Sequence, residues 1–148
     1  MPSTTRAQDG QALIETALAL PALLLVLFGI IEFGLAFARY QVVTNASREG
    51  ARAATLFRVD CTDGSAREDA QTAMRRFTDR LGLDDMDLEI RGDGANLCAS
   101  RTVSVTVSFV HRFPVVSGFA QAAGIPDSIL LRHTTSSLNE NILSGARR

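Results

Sequence analysis

The 148-residue chain contains no lysine. All fifteen of its basic residues are arginines, interleaved with sixteen acids for a net charge of −1. No continuous phosphate-binding stripe results, so nucleic acid is not an expected partner. Cysteine and histidine are equally scarce, with two of each. Cys61, Cys98, His111 and His133 follow one another at separations of 37, 13 and 22 residues, without the short ligand pair that zinc sites use. Asp60 and Asp63, or Asp84, Asp85 and Asp87, lack EF-hand spacing and are expected as solvated turn acids. No G-x-S-x-G elbow is present to place a serine for hydrolysis. The expectation is a protein with no metal, no cofactor and no catalytic site.

Long apolar runs are also rare: there is one, over residues 10–38, and nothing else in the chain competes with it. Between Glu15 and Glu32 lie sixteen residues without a charge. As a helix, residues 11–38 would be about 42 Å long, enough to cross a bilayer core of about 30 Å with room to tilt. One transmembrane helix and one extramembrane domain are therefore expected. Pro21 lacks the amide that would bond Ala17, which should bend or loosen the first turns. Ala17, Ala19, Ala22, Gly29, Gly34 and Ala38 would let another helix approach closely. Glu15 is the anomaly, because an acid within a membrane helix costs about 2.5 to 3.5 kcal/mol and calls for a partner. Glu32 lies one to two turns from the far end, within reach of the interface or of a neighbouring subunit. The interface is favoured.

Beyond the membrane the helix is expected to continue over residues 39–57. Phe33, Ala36, Tyr40, Val43, Ser47, Gly50, Ala54 and Phe57 recur at steps of three and four, a face made to pack, while Gln41, Asn45, Arg48 and Arg52 line another. Gly50 costs about 1 kcal/mol against Ala within a helix, and close contact with a partner element would compensate. The turn-rich residues 58–64 should end this helix. A second helix is expected from a capping box of Ser65 and Glu68, with Ala66, Ala70, Ala73, Met74, Phe77 and Leu81 on its inner face and Gly82 as its stop. Residues 86–91 and 102–109 alternate with period two, the second with Val103, Val105, Val107 and Phe109 on one face. These are antiparallel strands. Residues 128–138 should form a third, with Ile129, Leu131 and His133 on one face.

Residues 113–127 carry Pro114, Gly118, Gly124 and Pro126 and read as an irregular connection with a short helix around 116–123. Its apolar content suits packing over the sheet or contact with the membrane surface, and packing is preferred because exposed apolar patches are uncommon. The tail to Arg148 is polar and expected to fray. The fold class expected is α+β: a long N-terminal helix with a small antiparallel-sheet head packed by one further helix. Cys61 and Cys98 permit one pairing, whose loop closure would contribute about 4 kcal/mol in the chain-entropy model. It would form if the head lies outside the cytoplasm.

The hexamer G-Q-A-L-I-E at residues 10–15 resembles the type IV prepilin processing motif, a Gly, a cut, and a Glu at mature position five. The resemblance implies cleavage between Gly10 and Gln11, with residues 1–10 removed as a leader. The new terminal amine would then meet the buried Glu15 of a neighbouring subunit during assembly. With FGIIEFG and TNASREGAR added in order, residues 10–52 resemble the TadE-like family of pilin-like proteins from tight-adherence (Tad, Flp-type) pilus systems. That implies a pilin-like minor pilin or pseudopilin held in the bacterial inner membrane. Its partners would be the prepilin peptidase, other pilin-like subunits and the pilus assembly machinery. Glu32 and the group Asn45, Arg48, Glu49, Gly50 and Arg52 match the family pattern without an assigned role. The chain is much longer than the major pilin of such systems and has Thr16 where that pilin has Tyr after the Glu, which argues against a major-subunit role.

Orientation is contested by the charges. Arg39, Arg48 and Arg52 beyond the span, against Arg6 before it, would place the head inside. The resemblance places it outside, since a prepilin peptidase acts at the cytoplasmic face, and it is given more weight. The alternative is a binding domain, tethered by the apolar run or exported by it as a signal peptide. Ala36-Phe37-Ala38 fits an A-x-A cleavage site, but the run exceeds the usual 7 to 15 residues and is interrupted by two glutamates.

Overall fold

The computed structural model describes residues 4–56, 61–79, 83, 85–122, 124, 126–140 and 142, with residues 4–9 described as backbone alone. Phe57, residues 58–60, Leu81, Gly82 and the tail from 143 lie outside the described residues, and with them the expectations placed there. The elements in order are helix α1 (Thr4–Thr55), helix α2 (Asp63–Thr78), strand β1 (Asp87–Gly92), strand β2 (Thr102–Arg112), helix α3 (Ser117–Ala122) and strand β3 (Ser128–Leu138). The layout is the expected α+β one. The chain divides into two compact units: Met1–Ala36 with Arg112–Asp127, and Phe37–His111 with Ser128–Arg148.

α1 begins at Thr4, so the backbone is already helical before the apolar run starts at Gly10. It also runs without a break through Pro21. The ring removes one hydrogen bond, and the bonds on either side suffice to carry the helix on.

The second unit is built on small residues. Ala46, Ala51 and Ala54 of α1 meet Ala66, Ala70 and Met74 of α2 and the inward side chains of β2 in one core. Val103, Val105 and Val107 are fully buried, as the period-two pattern predicts. Phe109 is only partly buried against the same core. Gly50 supplies the close approach that its position in a helix suggests: a Cβ there would stand 3.3 Å from Val105 Cγ1.

The sheet order is β1-β2-β3, with β1 and β2 antiparallel and Ile90 opposite Val105. Ser104 with Ser136 and Thr106 with Thr134 form hydroxyl pairs at 2.8 Å across β2 and β3, whose numbers run in opposite senses and make this pairing antiparallel too. Along β3 the inward positions are Leu131, His133, Thr135 and Ser137, while Ile129 is exposed. This inner face is largely polar, and α1 answers it in kind. Ser47 Oγ lies 2.8 Å from His133 Nδ1 and 2.9 Å from Thr135 Oγ1, and Thr55 Oγ1 donates to Ser137 at 3.3 Å.

α2 starts three residues earlier than the expected box. Thr62 is the N-cap: its Oγ1 accepts from the Ser65 amide at 3.1 Å, and Ser65 Oγ accepts from the Thr62 amide at 3.2 Å. A hydroxyl at the third helical position takes the role assigned to Glu68. Ala66, Ala70, Ala73 and Met74 are buried as expected, and Phe77 is 39% exposed. Cys61 and Cys98 form a disulfide, with Cα atoms 5.9 Å apart. Asp63 and Asn139 fasten the same loop, since Asp63 accepts from the Leu97 amide and the Asn139 side chain donates to the Leu97 carbonyl, each at 2.8 Å.

Residues 113–127 depart from the preferred expectation. The described residues among them group in one compact unit with the apolar part of α1.

Candidate functional site

The residues on which function is expected to rest lie on α1, and burial separates them. From Gly10 to Phe28 every side chain is exposed, including Gln11 and Glu15. Leu18 and Leu23 are each more than 60% exposed in the stretch with no charge between Glu15 and Glu32. This is one N-terminal apolar helix, consistent with a single membrane span. Gly10 has nothing within 4 Å of the position a Cβ would take, so the backbone there is open.

Glu32 is the opposite case. Its residue is 3% exposed although its neighbours Ile31 and Phe33 are 50% and 70% exposed. The carboxylate accepts from the backbone amides of Val115 and Val116, with both oxygens 3.2 Å from the Val116 nitrogen. Sequence reasoning placed Glu32 at the interface or against another subunit. Here it is satisfied by its own chain. A buried acid needs such partners, because burying an ionisable group without them is costly. The signal that was available is the uncharged run 113–126 between Arg112 and Asp127, a second stretch in which backbone donors would need an acceptor.

Around this contact the first unit is apolar. The Phe33 and Phe113 rings are 5.9 Å apart at 47°. A cleft of about 340 Å³ is bounded by Leu25, Gly29 and Phe33 on α1 and by Phe113, Phe119 and Pro126 opposite. The amide of Phe113 donates to the Asp127 carbonyl at 3.0 Å, which closes the segment at its two ends.

The expected packing face of α1 is placed as follows. Val43, Ser47, Gly50 and Ala54 are buried in the second unit, and Ala36 is buried at the end of the first. Phe33 and Tyr40 are exposed, with Tyr40 set edge-on to His133 at 6.3 Å. Asn45, Arg48 and Arg52 are exposed and Glu49 half-buried. Arg52 Nε donates to Glu49 at 3.1 Å, and this bond holds the Glu49 carboxyl below its ordinary range. An exposed pair of this kind contributes little to stability.

Sequence reasoning missed Arg39 and His111. Arg39 Nη1 donates to His111 Nδ1 at 2.7 Å, and its guanidinium lies 5.7 Å from the centre of the Phe109 ring. Arginine has only donors, so the imidazole accepts at Nδ1 and carries its proton on Nε2. Among the described residues no group of three or more His, Cys, Asp or Glu side chains is placed to hold a metal.

Comparison with known proteins is informative for the N-terminal third. Residues 10–52 match the family model described as TadE-like protein. The match associates this segment with Tad pilus systems. No curated protein and no solved structure matches the chain significantly.

Proposed function

We propose that the chain is a minor pilin or pseudopilin of a Tad-type pilus system, with the TadE-like match over residues 10–52 as the premise. A prepilin peptidase cuts between Gly10 and Gln11, the helix stays in the bacterial inner membrane, and the α+β head lies outside the cytoplasm. The protein acts as a structural subunit and not as a catalyst. The observation that carries this is a coincidence of position: the match starts at Gly10, at the polar-to-apolar boundary, five residues before an acid left exposed on the helix. An exposed carboxylate within an apolar span has a use if it meets a cation in another subunit. The amine created at Gln11 is such a cation. The Cys61–Cys98 disulfide supports an oxidising compartment for the head.

Sequencing the N-terminus of the protein from cells with their complete export machinery tests this. A chain that starts at Gln11 is expected. A start at Arg39 would indicate a signal peptide, and an intact Met1 an unprocessed anchor; either would overturn the proposal.

A further inference from the structure

Residues 113–126 are fourteen residues without a charge, bracketed by Arg112 and Asp127. An apolar run of about 10 to 14 residues is too short to span and suits a buried, re-entrant or interfacial segment. This one is not buried by protein on its outer side: Val115 is 46% exposed and Phe119 63%. Its depth along α1 is fixed by contacts within the first unit. Val115 and Phe119 line one cleft with Ala17, Leu20, Leu24 and Phe28, the middle of the uncharged part of the helix. If that part lies in hydrocarbon, so does α3.

A non-helical backbone survives at such depth only when its polar groups are met by protein. Several of the described polar groups are met in this way. Phe113 donates to Asp127, Val115 and Val116 donate to Glu32, Ala120 donates to the Val116 carbonyl at 2.8 Å, and Gly124 donates to the Gln121 carbonyl at 3.1 Å. Pro114 and Pro126 have no amide to satisfy. The two polar side chains find partners in the segment or at its edge. Ser117 Oγ donates to the Pro114 carbonyl at 3.2 Å, and Gln121 donates to Asp127 at 3.5 Å.

We propose that the described residues of the run 113–126 form a re-entrant membrane element, a second lipid-contacting part of the protein beside α1, whose entry is held by the Glu32 carboxylate and whose outer face, Val115 and Phe119, is covered by acyl chains. This rests on the single-span reading of α1. The lipid is the occupant because the exposed face of the segment continues the exposed apolar face of the helix it lies on.

The chain has no tryptophan, so a single one reports its own surroundings. Three full-length variants, Phe119→Trp, Leu23→Trp and Arg67→Trp, would be reconstituted at high lipid-to-protein ratio in phosphatidylcholine vesicles with and without brominated acyl chains. Phe119→Trp is expected to emit at short wavelength and to lose as large a fraction of its emission to the brominated lipid as Leu23→Trp. Arg67→Trp, on the exposed face of α2, is expected to lose none. Quenching of Leu23→Trp without quenching of Phe119→Trp would overturn the proposal and leave the span standing. Blue-shifted but unquenched emission from Phe119→Trp would mean that protein, for instance a second copy, covers the segment, and would overturn it too. If Leu23→Trp is not quenched either, the span itself falls.

Discussion

The two units of this protein are folded by opposite rules. In the head, Val43, Val103, Val105 and Val107 are hidden and the charged side chains lie at the surface. In the first unit the large apolar side chains are outside, with Leu18 at 76%, and beside the small Ala36 and Ala120 the buried residue is the acid Glu32. Water rewards the first arrangement, since each buried CH₂ contributes about 0.8 kcal/mol. It gives no reason for the second. In lipid the driving force for hiding leucine disappears, while an unsatisfied backbone amide becomes the expensive item. If the first unit faces lipid, as proposed, a carboxylate buried against two amides is its core in the sense that three valines are the core of the head. A single helix passes from one regime to the other, and the same residue type has different meaning on either side.

Removing the disulfide should separate the units most sharply. Cys61→Ser with Cys98→Ser is expected to cost the head about 2 to 5 kcal/mol, read as a lower denaturation midpoint. Amide exchange at Val115 and Val116 in micelles should not change. Glu32→Leu should do the reverse, leaving two amides without an acceptor at about 1 to 3 kcal/mol each. Their exchange should speed up while the head unfolds as before, and Glu32→Gln, which still accepts, should restore most of the protection. Glycine gives a smaller test of the same contrast. Gly50→Leu drives a side chain against Val105 and should cost about 1 to 3 kcal/mol. Gly34→Leu meets nothing within 4 Å of its Cβ and should leave the fold intact.

The smallest effect belongs to the head alone. Asp93 accepts from the Thr102 amide at 3.0 Å, and this bond holds its carboxyl below the usual range. A depressed carboxylate adds stability above the ordinary value of about 4, and that stability is lost as pH falls toward the lower folded value. Asp93→Asn should flatten the acid limb of the head's stability profile below about pH 4, measured by thermal unfolding against pH.

The elements were legible where one periodicity ruled. The span, β2 and β3 follow from an uncharged run and from period-two alternation, and Gly50 announced a close approach. What escaped depended on pairs far apart in sequence. Glu32 and Val115 are 83 residues apart, and Arg39 and His111 are 72. No local pattern connects them. The cap of α2 was misplaced for a different reason: Thr62 and Ser65 make the same reciprocal bonds as the usual hydroxyl and Glu, and the sequence offers both pairs. Packing of residues 113–127 over the sheet follows from the rule that exposed apolar surface is uncommon in water, a rule that would not hold beside the lipid-facing helix proposed above.

Glu15 and Glu32, the two acids within the apolar run of α1, are used differently. Glu32 is bonded within its own chain, and Glu15 is exposed, where the proposed function has it meet another subunit. Pilus formation by Glu15→Ala and Glu32→Gln in cells carrying the complete pilus machinery, with the N-terminus of each sequenced, is the most direct measurement. Both variants should be cut before Gln11, Glu32→Gln should assemble, and Glu15→Ala should fail to. Normal assembly with Glu15→Ala would contradict the claim that this carboxylate receives the new amine of a neighbouring subunit.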